Sequence, residues 1–529
     1  MTIQPPQLVI HNCKVYNQSK SQTALAISGD KIVAIGSDAD ILPLANGQTK
    51  KINGWGKWVL PALMDSHTHM VGYAARKLQV DLSDCESLNE ALKRIKFGVE
   101  ASPEGEWITG GGWDKNMWNL SGFPHKQMLD EISTRHLIAL DSKDWHSLWV
   151  NSPVLKKCGV NRSISDPDGG HIIRDESGEP TGIFQETVRQ LIFDKIPPPP
   201  AVKLIPALQE TFKEFHRFGI TAAHSMETFS DFSIYRRLYQ EGNLGLRIFW
   251  YLPVKHLSAV EELDTRYKSG NSFLKICGVK LFADGALGSQ TAEMLENYLG
   301  LDHAGIGVLS NEELRELVSK CVSQRLACAI HAIGDKANRK VLTAFGKLFR
   351  ESQEAGLRHR IEHAQLLHPG DILLFQKYNV TASVQPIHLA ADIPIIEKYW
   401  GERGRFAYAF GSLANSGARL IFGSDTPIES FDPWKGIYTA LQRKHWVNPQ
   451  TESFYPEEKI KLDQAIQACT SSSAWAAGEE MNLGSVEIGK QADLIMIDQD
   501  VFSEPPEVLL TTNVMLTVLA GKVVYEHAG

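Results

Sequence analysis

The spacing of apolar and polar positions changes character twice along this chain. Near the start, Leu8-Val9-Ile10, Ala24-Leu25-Ala26-Ile27 and Lys31-Ile32-Val33-Ala34-Ile35-Gly36 are short apolar runs separated by turn residues. They predict strands, with Gly29-Asp30 as a hairpin turn between the last two. The far end repeats the style, with Val486 and the stretches 492–498 and 514–525 reading as strand, turn, strand. Two β-rich ends around a middle that alternates predict that the termini, 1–60 and 482–529, pair into one composite β-sandwich.

Between about 203 and 480 the apolar runs alternate with amphipathic stretches. After His331, for example, Lys336, Asn338, Arg339 and Lys340 are polar while Val341, Leu342, Phe345, Leu348 and Phe349 return at helical spacing. His331 and His363 stand about one βα unit apart, at the ~30 residues per unit that a barrel of ~250 residues implies. This predicts an α/β fold: a distorted (β/α)8 (TIM) barrel over 61–71 and 203–481. The stretch 72–202 loses that rhythm. It holds Gly110-Gly111-Gly112, the aromatics Trp107, Trp113, Trp118, Trp145 and Trp149, and the stiff run Pro197-Pro198-Pro199-Pro200, which reads as a boundary. It is expected to be an insertion folded over the barrel mouth.

Composition narrows the function without naming it. A chain of 529 residues exceeds one ordinary core, and its net charge of -8 gives no basic surface for nucleic acid. Met1-Thr2-Ile3-Gln4-Pro5-Pro6 lacks the basic-then-apolar pattern of a signal peptide, and no apolar run approaches the ~18 residues of a membrane span. A cytoplasmic protein with neither nucleic acid nor membrane as partner is expected. The seven cysteines are scattered without a Cys-x-x-Cys pair, so neither a disulfide framework nor a thiolate zinc site is indicated.

The candidate chemistry stands where apolar runs give way to small or turn residues. His67 and His69 end such a run at i, i+2, a spacing that puts both imidazoles on one side of a strand. Lys280, His331, His363 and Asp425 follow in the same kind of position. Singly, each has an ordinary reading: a chance His-x-His, a salt-bridged lysine, an aspartate that forms a turn. Together, in barrel order at strand ends, they point to one metal site and a metallohydrolase, with a single-metal site around an unmodified Lys280 as the open alternative. Asp335 and Glu362 are candidates for orienting imidazoles through their far nitrogens, or else structural caps. Gln385 is placed at the end of the seventh strand, facing substrate with His388 just beyond, and His224 at the end of a third strand. No Lys-Ser/Thr follows Gly110-Gly111-Gly112, so that run reads as a turn carrying Trp113 towards the pocket rather than a phosphate cradle.

With these motifs set out, the chain resembles the amidohydrolase superfamily, in the branch that includes N-substituted formamide deformylases, over nearly its whole length. The residues that carry the resemblance are 60–69 around His67 and His69, Gly110-Gly111-Gly112-Trp113-Asp114, Pro180-Thr181-Gly182-Ile183, 278–285 around Lys280, His331-Ala332-Ile333-Gly334-Asp335, Arg360-Ile361-Glu362-His363-Ala364 and Gly423-Ser424-Asp425-Thr426-Pro427. Pro61-Ala62 departs from the usual Pro-Gly, which affects a turn and leaves both imidazoles in place. The resemblance implies two divalent metals, zinc, bridged by a hydroxide and by a carbamate on Lys280. His67, His69 and Asp425 would hold the more buried ion, and His331 and His363 the other. Asp425, Lys280 and His331 would be catalytic, Asp425 as the proton carrier. His146, in Asp144-Trp145-His146-Ser147, matches a motif of the family's insertion and would cap the pocket.

The implied activity is hydrolysis of an amide-type C–N bond in a small molecule with an activated carbonyl, an N-substituted formamide or other non-peptide N-acyl compound. The tryptophans of the expected lid favour a substrate with an apolar or aromatic part. Lactone or ester hydrolysis on the same site is the alternative within the enzyme class. A non-catalytic metal-binding regulatory relative is the alternative outside it, opposed by the retention of all six ligand types. A homodimer is compatible with the chain.

Overall fold

The computed structural model describes residues 5–17, 22–143, 146–167, 169–262 and 272–527. The chain divides into two compact units, Met1–Gly72 with Gln209–Gly529, and Tyr73–Leu208.

The larger unit is built on eight parallel strands in chain order: Leu63–Thr68, Ile220–Ser225, Arg247–Pro253, Leu274–Phe282, Ala327–Ala332, Arg360–His363, Thr381–Val384 and Leu420–Phe422. Most are almost wholly buried, as strands covered on both faces must be, and this is why their sequences read as apolar runs rather than alternations. The first and eighth strands meet where Thr68 bridges Thr426 in parallel, making a TIM-like barrel. Gly423 allows that closure, because a Cβ there would stand 2.5 Å from the His67 backbone nitrogen. The intervening helices pack their apolar stripes inward. Asn311–Ser323 opens with a capping box between Ser310 and Glu313 and buries Leu314, Val318, Cys321 and Val322. The amphipathic stretch after His331 is two helices, Asp335–Lys347 and Phe349–Glu354, because the backbone leaves helical angles at Leu348. His224 closes the second barrel strand, not the third.

The two ends of the chain form two sheets of four and five strands over one core in which Leu8, Ile10, Leu25, Ile27 and Ile32 meet Val59, Leu494, Met496, Leu516 and Val518. The Gly29-Asp30 turn joins Ala24–Ser28 to Lys31–Gly36 with Ser28 paired to Lys31. Val486 fills this core without belonging to a strand, and the strand expected from 492 begins at Leu494.

The smaller unit is a six-stranded sheet, running in space from Gly170–Arg174 through Pro180–Glu186, Ser147–Val150, Leu137–Ser142 and Trp107–Trp113 to Val80–Asp81. The expectation for Trp113 is corrected here. Its side chain is 2% exposed, packs with Trp118 and Trp149, and donates its indole N–H to Leu140 O at 2.8 Å, so it builds this unit's core instead of facing a pocket. Gly110-Gly111-Gly112 lies at the end of a strand, and its glycines serve close packing: a Cβ on Gly110 would fall 2.1 Å from Val80 O. His146 lies in the same unit, its side chain 63% exposed and its Nδ1 2.9 Å from Glu186. Asp144 and Trp145 lie outside the described residues. Among the described residues no helix is long and apolar enough to cross a membrane.

Candidate metal centre

All six ligand candidates stand at or near the carboxyl ends of barrel strands, where the loops of such a barrel carry chemistry. His67 lies in the first strand and His69 just beyond it. Asp425 follows the eighth and docks on the first, its N–H donating to His67 O at 2.8 Å while His69 N–H donates to Thr426 O at 2.8 Å. These contacts bring Asp425 Oδ1 to 3.5 Å from His67 Nε2 and 3.3 Å from His69 Nε2. The His67 ring lies 5.2 Å from that of His363, which meets His331 edge-on at 4.5 Å between centroids. Lys280, in the fourth strand, is buried in the fields of Glu362 and Asp425.

Two of these residues hold an uncommon backbone. His363 and Asp425 have φ of 72° and 59°, left-handed values that non-glycine residues adopt at a cost of about 1–3 kcal/mol and that cluster at functional sites. His363 ends the sixth barrel strand, and Asp425 lies three residues past the eighth.

Hydrogen bonds behind His67, His363 and His331 decide which nitrogen each of these presents. Glu362 Oε2 lies 2.6 Å from His67 Nδ1. Burial by itself would push the Glu362 carboxyl up, but Arg360 and then His67 hold it well below the usual carboxylate range. An ionised carboxylate only accepts, so the His67 proton sits on Nδ1 and Nε2 turns a lone pair toward Asp425. Gln385 Oε1 lies 2.8 Å from His363 Nδ1 and fixes that ring the same way, while His331 donates from Nε2 to Gly285 O at 2.9 Å and leaves Nδ1 free to ligate.

Electrostatics keep this set neutral where it must be. Burial, followed by the nearby Lys280, lowers both His67 and His331 to about 4, and burial with His331 holds His363 well below its ordinary value. Burial also lowers Lys280 to about 8. Asp425 goes the other way. Burial favours its neutral form, but its imidazole neighbours, His67 whenever that ring carries a second proton and then the bond that His69 donates, hold it well below 3.8.

A divalent cation fits this arrangement. His67 Nε2 and Asp425 Oδ1 are two electron-pair donors facing each other at 3.5 Å in a buried site, and one atom from each of His67, His69 and Asp425 lies within 4.8 Å of the others. The six-residue set predicted from the sequence is therefore brought to one end of one barrel. Gln385 joins it behind His363, and His388 donates to Ser424 O at 3.1 Å with its ring 6.5 Å from His363. Glu362 orients an imidazole. Asp335 does not, since its Oδ1 accepts from Leu295 N at 2.8 Å.

Beneath the candidate ligands, sequence reading named Glu362 and His224 but missed Arg360, Asp65 and Glu227. Arg360 is fully buried and donates to Glu362, Ser66 O, Ser383 Oγ, His224 Nδ1 and Tyr251 OH, tying five barrel strands together under His67. Asp65 Oδ1 accepts from His67 N at 3.1 Å and Ser424 N at 2.9 Å, and burial raises its carboxyl to about 6. Glu227 accepts from Val71 and Gly72 N–H groups, capping the helix Met70–Arg76 that begins one residue after His69. The available signal was spacing: Asp65 with His67, and Arg360 with Glu362, are i, i+2 charged or polar residues inside otherwise apolar strands.

Comparison with known proteins agrees with this geometry. Residues 52–525 match the amidohydrolase family. The chain is 32% identical to Protein LONG AFTER FAR-RED 3 of Arabidopsis thaliana, over 98% of its own length and 91% of that protein's. It is 25% identical to an N-substituted formamide deformylase of Arthrobacter pascens, over 96% and 95% of the two chains. Among solved structures it resembles an uncharacterized metal-dependent hydrolase from Pyrococcus furiosus, with a TM-score of 0.78, 27% identity, and coverage of 94% of this chain and 99% of that one.

Proposed function

Because the chain belongs to the amidohydrolase family, we propose that it is a metal-dependent hydrolase that cleaves an amide-type C–N bond in a small molecule, an N-substituted formamide or other non-peptide N-acyl compound. The observation that carries this reading is the lone pair of His67 Nε2 held against the Asp425 carboxylate at 3.5 Å, an arrangement that a cation satisfies. The similarity to a formamide deformylase and to a metal-dependent hydrolase supports the reaction class.

His67, His69 and Asp425 would hold one ion, and His331 and His363 a second. Lys280 would bridge them as a carbamate, formed when its neutral amine adds CO2 and releases a proton. An ammonium would be repelled by two dications, whereas the carbamate would offer two oxygens that share one negative charge. When bound, a divalent ion supplies Lewis-acid activation, lowering the pKa of a coordinated water to about 7 and polarising a carbonyl. Asp425, ionised at neutral pH, takes the proton of the attacking water and returns it to the leaving nitrogen. Glu362, Gln385 and Gly285 O keep the protons of His67, His363 and His331 on the nitrogens that face away from the site.

The test is metal analysis on protein grown with zinc and bicarbonate, beside Lys280→Ala and Asp425→Asn, followed by a panel of formamides, N-acyl amines, carbamates and lactones. About two zinc ions per chain in the parent, fewer in Lys280→Ala, and amide turnover abolished in Asp425→Asn are expected for a two-metal site. Absence of metal would overturn the reading, and turnover of lactones alone would move the bond from C–N to C–O.

A further inference from the structure

The tryptophans expected to supply an apolar substrate wall do not do so as a group, since Trp113, Trp118 and Trp149 are buried within the smaller unit. A different aromatic residue is placed for that work. Phe282 ends the fourth barrel strand, two residues beyond Lys280 and therefore on the same side of the strand, and pairs in register with His331. Its ring centroid lies 5.0 Å from Lys280 Nζ and 5.3 Å from the centre of the His331 imidazole. Unlike those two neighbours, Phe282 is 48% exposed.

This combination is unusual for a structural phenylalanine. An aromatic side chain at a barrel strand end ordinarily gains its apolar burial from neighbouring helices and loops, whereas this ring leaves about half its surface uncovered beside two residues of the candidate centre. Its plane is tilted 37° to the imidazole, so the ring offers apolar surface next to polar donors. Such a surface suits a ligand whose polar head engages the centre while an apolar substituent covers the ring.

We infer that Phe282 is a specificity-determining residue of this site, selecting carbonyl compounds that carry an aromatic or branched aliphatic substituent. The inference rests on the proposed metal centre. Covering the exposed part of the ring with a phenyl group removes enough apolar area from water to give about tenfold tighter binding than a methyl group allows.

The test uses two hydroxamates with the same chelating head, acetohydroxamate and benzohydroxamate, titrated into the zinc-loaded full chain and into Phe282→Ala and Phe282→Leu. The parent should bind benzohydroxamate about tenfold more tightly than acetohydroxamate. In Phe282→Ala that preference should fall to about twofold or less with acetohydroxamate binding and zinc content unchanged, and Phe282→Leu should keep an intermediate preference. Binding of both hydroxamates with the same ratio in parent and Phe282→Ala would overturn the inference and leave the metal centre standing. Failure of the parent to bind either one would overturn the metal centre and the inference with it.

Discussion

Replacing Glu362 by glutamine should weaken both the barrel and its hold on metal. In the parent, the Glu362 carboxylate accepts from His67 Nδ1 at 2.6 Å and from two nitrogens of Arg360, one of them Nη2 at 2.9 Å, and both Arg360 and Glu362 are fully buried. A glutamine amide offers one acceptor oxygen. Whichever way it turns, its NH2 confronts the guanidinium, which donates to both oxygens in the parent, and in one orientation it confronts the imidazole as well. The other partners of Arg360 are neutral: Ser66 O, Ser383 Oγ, His224 Nδ1 and Tyr251 OH. The substitution thus leaves a buried guanidinium without its counter-charge, a loss of about 3–5 kcal/mol in stability. Freeing His67 from its carboxylate should also weaken metal affinity by about 10–100-fold. Urea unfolding of the chelator-treated protein reads the first quantity, and zinc competition with a coloured chelator reads the second. Arg360→Met combined with Glu362→Gln should lose less than the sum of the two single variants, because the stranded charge is gone. A loss under about 1 kcal/mol with unchanged zinc affinity would refute the claim that this pair supports the centre, since it would equal that of a surface substitution.

Other expectations can be checked on the same protein. Burial lowers His359 to about 4, with Cys328 N–H donating to its Nδ1 at 3.0 Å. Its stabilising share is complete above the unfolded value of about 6.5 and is lost as pH falls from there through 4, amounting to about 3 kcal/mol. Unfolding measured between pH 7 and 4.5 should therefore show a shallower decline in His359→Gln than in the parent, and equal slopes would contradict the assignment. Gly110→Ala drives a methyl group to within 2.1 Å of Val80 O, so the smaller unit should lose about 1–3 kcal/mol or fail to form, read by proteolysis within Tyr73–Leu208. Removing metal with a chelator should lower the thermal midpoint, with zinc at 100 times its dissociation constant contributing about 2.7 kcal/mol. A midpoint indifferent to chelator would count against a resident ion.

The barrel was legible because a strand buried on both faces must be apolar throughout, and the candidate ligands were legible because polar residues at the ends of such runs have few structural uses. Gln385 and Glu362 were legible as candidates but not as roles. Glu362 serves His67, 295 positions earlier in the chain, and Gln385, placed by sequence toward substrate, is buried behind His363. Trp113 misled because an aromatic after three glycines looks like a residue presented by a turn. The glycines in fact let Val80 and Asp141 approach closely, which puts the indole inside the sheet's own core.

Sequence alone determined the alternation of strand and helix, the pairing of the two ends of the chain, and the six candidate ligands that stand at strand ends, since each follows from local periodicity and side-chain chemistry. Tertiary structure decided which nitrogen of His67, His331 and His363 faces the centre, that Arg360 and Glu362 compensate each other beneath it, and that Phe282 stays exposed beside Lys280 and His331. Those outcomes depend on distances between strands far apart in sequence, and in a buried site a change of about 1 Å in such a distance separates a satisfied hydrogen bond from an unpaired charge.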